Sequence, residues 1–88
     1  MGSSSEKGNN AELWNKLLTE LDEKLQLGLL DHLKRITSYH FEDDVLYVEP
    51  GTPEDEKYLT KDSALQQLQL LAQVVCKVER VKIKKRAS

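Results

Sequence analysis

The chain has 88 residues, of which 13 are basic and 15 acidic, and its net charge is −2. A chain of this length forms one domain and buries only about 60% of the surface exposed by its unfolded form, which excludes a large internal active-site cavity. The small net charge gives no overall attraction to nucleic acid or to an anionic membrane. No apolar run approaches the roughly 18 residues of a membrane span, and the single cysteine excludes an internal disulfide. We therefore expect a cytoplasmic protein.

Residues 1–10 have no apolar side chain after Met1, which predicts a disordered tail or linker. Residues 11–86 are expected to form a single domain. Asn9 or Asn10 can cap a first helix that runs to about Leu27 and stops at Gly28. Apolar residues at helical spacing then predict a second, shorter helix: Leu29, Leu30, Leu33 and Ile36. The expected exposed face of that helix comprises Asp31, His32, Lys34 and Arg35.

The segment 38–49 predicts a β-hairpin whose two loop residues are Asp43 and Asp44. Because side chains alternate along a strand, this register places four apolar or aromatic side chains on one face: Tyr39, Phe41, Leu46 and Val48. A two-stranded hairpin is barely stable alone, so helices must cover that face. We expect truncation of Phe41 to Ala to cost about 3–5 kcal/mol.

After the hairpin, Thr52 followed by Pro53 predicts the start of a short helix. Asp62 or Ser63 would cap a second helical segment over residues 64–76, and the two segments can alternatively form one bent helix. Residues 78–84 predict a third strand reached by a helical crossover, because Val81 and Ile83 alternate there with the basic residues Arg80, Lys82 and Lys84.

These elements predict an α+β fold in the order helix-helix-strand-strand-helix-strand, with a three-stranded sheet covered on one face by helices. The predicted core comprises Trp14, Leu18, Leu21, Leu30, Leu33, Phe41, Leu46, Val48, Leu68, Leu71 and Ile83. A tryptophan near a helix start is usually part of a core, although an exposed aromatic there can also dock a partner.

The uncovered face of the sheet is the candidate contact surface for a partner or for nucleic acid. It and the basic residues that follow supply His40, Tyr47, Arg80, Lys82, Lys84, Lys85 and Arg86. Aromatic and basic groups together can stack bases and hold phosphates. The simpler interpretation is a solvated face, because the acids Glu42, Glu49 and Glu79 are predicted to lie on the same side. We expect weak or no binding to nucleic acid.

Residues that could support catalysis do not form a recognisable pattern. His40 lies near three acids, but the spacing fits neither a calcium loop nor a zinc site. Asp31 and His32 are adjacent on a helix and point in different directions. No nucleophile elbow or glycine-rich phosphate loop is present. The sequence therefore predicts a protein that is not an enzyme and has no metal or cofactor.

Several segments resemble small domains of bacterial replication proteins. The resemblance is carried by Leu13-Trp14 opening a leucine-rich helix, by residues 29–33, by the hairpin residues 41–48, and by the closing strand. One similar family is the C-terminal domain of the tau (gamma/tau) subunit of the DNA polymerase III clamp loader. The other is the N-terminal domain of the initiator DnaA, which shares a KH-like order of elements. The short second helix and the separate Tyr58-Leu59 stretch are closer to the tau-like domain.

The resemblance implies a non-catalytic interaction module of the replication machinery. Its implied partners are replisome proteins, either a polymerase or a helicase subunit, and it would be a monomer or a weak dimer. The DnaA-like alternative implies a helicase-binding or oligomerisation domain. A KH-like nucleic-acid-binding domain that uses the basic third strand, and an adaptor unrelated to replication, are further alternatives.

Overall fold

The computed structural model describes residues 8–84 and has four helices and three strands. In chain order these are α1 (Ala11–Glu23), α2 (Leu27–Lys34), β1 (Ser38–Glu42), β2 (Val45–Glu49), α3 (Pro53–Leu59), α4 (Asp62–Val75) and β3 (Arg80–Ile83). This order confirms the predicted α+β class, and the two segments after the hairpin are separate helices. None of the helices in this part of the chain is long and apolar enough to cross a membrane.

The hairpin has the register predicted from its sequence. Strand β1 pairs with β2 antiparallel, from Ser38 opposite Glu49 to Glu42 opposite Val45. Asp43 and Asp44 have φ angles of 52° and 62°, as a two-residue turn of the I′ type requires. Strand β3 then pairs with β2 in parallel, so the sheet order is β1-β2-β3. The helical crossover returns β3 to the same sheet, as predicted.

The turn between α1 and α2 differs from the prediction. Helix α1 ends at Glu23, and Gly28 lies inside α2 instead of stopping α1. Leu25 takes the left-handed conformation with φ 60°. Its N–H donates to the Asp22 carbonyl, and the Gln26 N–H donates to the Leu21 carbonyl at 2.9 Å. These bonds form the helix-ending motif that usually has glycine at the left-handed position.

Two element boundaries in the second half of the chain differ from the prediction. Thr52 caps α3 as predicted, since its Oγ1 accepts from the Asp55 N–H at 3.1 Å. Helix α4 begins at Asp62, so neither Asp62 nor Ser63 is the cap, and that place is held by Lys61 without a side-chain bond. Strand β3 begins at Arg80 instead of residue 78.

The core lies between the helices and one face of the sheet. Trp14 is 7% exposed and stacks on Tyr39 with ring centroids 4.3 Å apart, which confirms its predicted place in the core. Four predicted core residues are only partly buried: Leu18, Phe41, Leu71 and Ile83. The predicted list omitted nine side chains of the buried hydrophobic core: Leu17, Leu29, Ile36, Tyr39, Leu59, Ala72, Cys76, Val78 and Val81.

Phe41 is less deeply buried than the sequence pattern predicts. It lies beside the hairpin turn, at the end of an edge strand, and its ring packs edge-to-face with that of Tyr39, with centroids 5.8 Å apart. The fully buried aromatic of β1 is Tyr39, which is 3% exposed. Alternation identified the correct face of the strand but not the depth along it, because depth depends on where the helices lie.

The single cysteine is packed where α4 ends. Cys76 is 4% exposed, and its Sγ donates to the Leu13 carbonyl at 3.5 Å. Burial disfavours the thiolate and raises the pKa of Cys76 to about 11. The thiol is therefore a structural contact between α4 and the start of α1.

Candidate functional site

The sheet has one face covered by helices and one open face. Buried side chains of all three strands point to the helices: Tyr39, Leu46, Val48 and Val81. The open face is formed by Ser38, His40, Glu42, Val45, Tyr47, Glu49, Arg80, Lys82 and Lys84, all of them exposed or half-buried. The register aligns His40, Tyr47 and Lys82 in one row across the three strands. The structure therefore places five of the predicted contact residues on one surface, and Lys85 and Arg86 lie outside the described residues.

The aromatic pair of the open face is a cross-strand stack. The His40 and Tyr47 rings lie with centroids 4.7 Å apart and planes inclined by 16°. Each ring therefore covers one face of the other. On its other side Tyr47 has Lys82, the paired residue of the next strand, at a strand spacing of about 4.8 Å. A nucleobase needs a free ring face to stack, and this mutual stacking removes one face of each ring from such contacts.

The charges of the open face are sorted by strand. The hairpin acids have partners on β1, since Glu42 Oε1 lies 3.4 Å from His40 Nε2 and Glu49 Oε1 accepts from Ser38 Oγ at 3.3 Å. Arg80, Lys82 and Lys84 have no ion-pair partner among residues 8–84 and are exposed. The β3 side of the open face is therefore a row of three available cations.

The outward backbone groups of the two edge strands, β1 and β3, are bound by different side chains. In a two-residue hairpin the closing pair is hydrogen-bonded, so the N–H and C=O of Tyr39 and Phe41 point away from β2. Asn9 meets Phe41 there: its Nδ2 donates to the Phe41 carbonyl and its Oδ1 accepts from the Phe41 N–H, both at 2.9 Å. Gly8 lies so close that a Cβ on it would overlap with the Tyr39 carbonyl oxygen. The last residues of the predicted tail thus lie along the β1 edge.

Two glutamines of α4 bind the outer edge of β3. Gln73 Nε2 donates to the Glu79 carbonyl at 2.8 Å, and Gln69 Oε1 accepts from the Val81 N–H at 3.1 Å. The bonds to β2 use the alternate residues, as shown by Lys84 N–H donating to the Val48 carbonyl at 2.8 Å. The outward backbone groups after the Val81 N–H have no partner within the described residues: the Val81 carbonyl and both groups of Ile83.

A polar cluster between α2 and α3 was not predicted. Asp55 is fully buried, and its Oδ1 accepts from Arg35 at 2.9 Å and lies 2.5 Å from His32 Nδ1. The hydrogen bond from Arg35 holds the pKa of Asp55 down, at about 2, against the opposing effect of burial. Asp31 also accepts from Arg35, at 2.7 Å, and the hydrogen bonds to Asp55 and Asp31 raise the pKa of the Arg35 guanidinium.

This cluster corrects the expectation that the whole outer face of α2 is solvated. The His32 side chain is 19% exposed and stacks on Tyr58 with centroids 4.1 Å apart. His32 pairs with Asp55 and not with its neighbour Asp31. The signal available in the sequence was a histidine and an arginine three residues apart, which share a helix face and can hold one carboxylate. The cluster ties α2 to α3 and orients no nucleophile among the residues described.

Metal ligands and known relatives add no further assignment. Between Gly8 and Lys84, no group of three or more His, Cys, Asp or Glu side chains could hold a metal ion. Comparisons with protein-family models, with curated proteins and with solved structures give no match for this chain. The open face with its cationic β3 side is therefore the surface on which a functional argument can be built.

Proposed function

We propose that this domain is a non-catalytic module that binds a protein of the bacterial replication machinery through the open face. The observation that carries the proposal is the row of three unpaired cations, Arg80, Lys82 and Lys84, beside the His40–Tyr47 stack on an uncovered sheet face. Assignment to replication rests on the sequence patterns that resemble the tau-subunit and DnaA domains. The expected partner is a polymerase or helicase subunit with an acidic contact surface.

Charge complementarity explains how such a surface would select its partner. Unpaired cations at the rim of an interface raise the association rate with an acidic surface, and the effect weakens as salt is added. The neighbouring acids Glu42 and Glu49 already contact His40 and Ser38, so they compete little with an incoming carboxylate for the β3 cations. The surface therefore favours a partner that brings carboxylates to β3.

The test uses the domain as bait for purified polymerase and helicase subunits of the replication machinery. Charge reversal of Lys82→Glu with Lys84→Glu is expected to lower the association rate by tenfold or more at low salt. The matched control is Lys16→Glu with Lys57→Glu, which makes the same charge change on exposed residues away from the sheet. Retention of none of these proteins, or equal loss in the control, would refute the proposal.

Nucleic-acid binding is the second candidate, because aromatic rings and cations share the open face. The mutual stack already occupies one face of each ring, so binding would depend mainly on phosphate contacts with the β3 cations. We expect a dissociation constant near 10⁻⁴ M at physiological salt, typical of non-specific contacts. Fluorescence anisotropy with short single- and double-stranded DNA measures it. Sub-micromolar, salt-sensitive binding that Lys82→Glu with Lys84→Glu abolishes would make nucleic-acid recognition the primary function.

A further inference from the structure

The outer edge of β3 is only half closed. Gln73 and Gln69 bind the Glu79 carbonyl and the Val81 N–H. Beyond them, the Val81 carbonyl and the N–H and C=O of Ile83 point outward without a partner in residues 8–84. An unpaired row of strand amides and carbonyls is a template for another strand. We call these three groups the open edge.

We infer that the open edge accepts an extended, acidic segment of the partner protein, which pairs with β3 as a fourth strand. This inference rests on the proposed function and names the chemistry of its partner. Main-chain hydrogen bonds to the open edge would supply affinity, and side chains at alternate positions would supply specificity.

The side chains beside the open edge define that specificity. Lys82 and Lys84 project on the open face, whereas Ile83 is half-buried and packs against the core on the helix side. A fourth strand therefore has one row of side chains next to two lysines and the other row next to an apolar surface. The sequence pattern that fits is an alternation of acidic and apolar residues.

A second copy of this chain is a poor occupant of the same edge. If two β3 strands paired edge to edge, their lysines and Arg80 would face each other across the new ladder. Like charges directly opposite destabilise a strand pair, and edge lysines are a common protection against self-association. The charges that reject a second β3 are the same charges that attract an acidic strand.

The experiment uses the full chain labelled with nitrogen-15 and a capped peptide of four Val-Glu repeats as the probe. Addition of the peptide is expected to slow hydrogen exchange of the Ile83 amide, whereas the Phe41 amide, already bound to Asn9, should change little. A peptide of four Val-Lys repeats should not bind. Absence of protection at Ile83, equal binding of the lysine peptide, or shifts confined to the exposed Leu70 and Val74 of α4 would overturn the inference.

A proline substitution isolates the backbone contribution. Ile83→Pro removes an N–H that β2 does not use, and edge strands tolerate proline in such positions. It should weaken peptide binding about tenfold, as expected for one lost hydrogen bond. Ile83→Val keeps the N–H and should bind within about twofold of the parent. If Ile83→Pro fails to fold, the exchange measurement on the parent chain decides alone.

The two proposals fail in distinguishable ways. Loss of the replication partner in Lys82→Glu with Lys84→Glu but normal binding by Ile83→Pro would overturn the open-edge inference and leave the open-face proposal intact. Protection of Ile83 by the Val-Glu peptide, without retention of any replication protein, would support the open edge and refute the assignment to replication.

Discussion

The two edges of the sheet differ in how many of their outward backbone groups are hydrogen-bonded by side chains. On β1 a single asparagine both donates to and accepts from Phe41, so its carboxamide replaces a neighbouring strand for one residue. On β3 two glutamines, one turn apart on α4, each make one bond and stop at Val81. A carboxamide carries a donor and an acceptor, as a peptide group does, and therefore suits an exposed strand edge. Side-chain amides can therefore satisfy a strand edge one residue at a time. On β3 they do so only as far as the Val81 N–H, and the groups beside Lys82 and Lys84 have no such partner within residues 8–84.

The largest expected effect separates the two edge strands by their depth in the core. Tyr39→Ala on β1 should cost about 3–5 kcal/mol, because it removes a buried aromatic that stacks on Trp14. Ile83→Ala on β3 should cost about 1–2 kcal/mol, since its side chain is only half-buried. Phe41→Ala should also cost about 1–2 kcal/mol, because the Phe41 side chain is only half-buried. This loss is smaller than the value of about 3–5 kcal/mol expected from the sequence. Urea unfolding monitored by circular dichroism measures all three, and equal losses would contradict this ranking.

Acid pH should weaken the contact between α2 and α3, which depends on the Asp55 carboxylate, but not the sheet edges, which are bound by uncharged side-chain amides. The pKa of Asp55 is lowered to about 2 in the folded state, so its stabilisation is complete above the unfolded value near 4. It is then lost as the pH falls through 2. Asp55→Asn should lose about 1–3 kcal/mol at pH 7 and show less acid destabilisation between pH 4 and pH 2. Glu54→Gln, on an exposed neighbour in the same helix, is the control. If stability depends on pH in Asp55→Asn as it does in the parent, the Asp55 carboxylate is not the source of the acid sensitivity.

Removing the closure of the β1 edge should have a smaller effect. Asn9→Ala leaves the outward N–H and C=O of Phe41 to water and should cost about 1–2 kcal/mol for two hydrogen bonds. It should also increase aggregation, because β1 then presents an unpaired edge. Asn15→Ala, on the exposed side of α1, should change neither property. Thermal unfolding and light scattering compare the two variants, and equal behaviour would show that Asn9 does not close the edge.

The smallest effect on stability is expected at the β3 edge. Gln69→Ala with Gln73→Ala should cost about 1 kcal/mol or less, because both contacts lie near the surface. The same change exposes two further outward groups, so binding of the Val-Glu peptide should strengthen. The matched control, Gln66→Ala with Gln67→Ala, alters exposed glutamines of the same helix. Weaker peptide binding after loss of Gln69 and Gln73 would mean that the glutamines belong to the docking site and do not limit it.

Local sequence signals predicted the fold well where the structure depends on neighbouring residues. The hairpin register followed from strict alternation around two turn residues, and Thr52 with Pro53 marked the start of α3. The end of α1 was missed because Leu25 adopts a conformation that glycine usually takes. Such a position has no signature in the residue itself, since the surrounding hydrogen bonds impose the conformation.

The candidate surface was predicted in its members but not in its geometry. Alternation assigned His40, Tyr47 and Lys82 to one face, but only the strand order placed them in a row. The edge closures by Asn9, Gln69 and Gln73 join residues that are 6 to 32 positions apart in the chain. Polar side chains of this kind are common on surfaces, so their pairing becomes visible only when the tertiary structure is known.

The buried thiol of Cys76 can report local separation of α4 from α1. It is the only cysteine of the chain, so a thiol reagent has a single site to modify. With a pKa of about 11 and a packed environment, the closed state reacts slowly, and labelling requires the contact between α4 and α1 to separate. The labelling rate at a fixed reagent concentration therefore measures how often the helical layer opens. Comparison of that rate with and without a bound partner reveals whether occupation of the sheet is transmitted to the helices behind it.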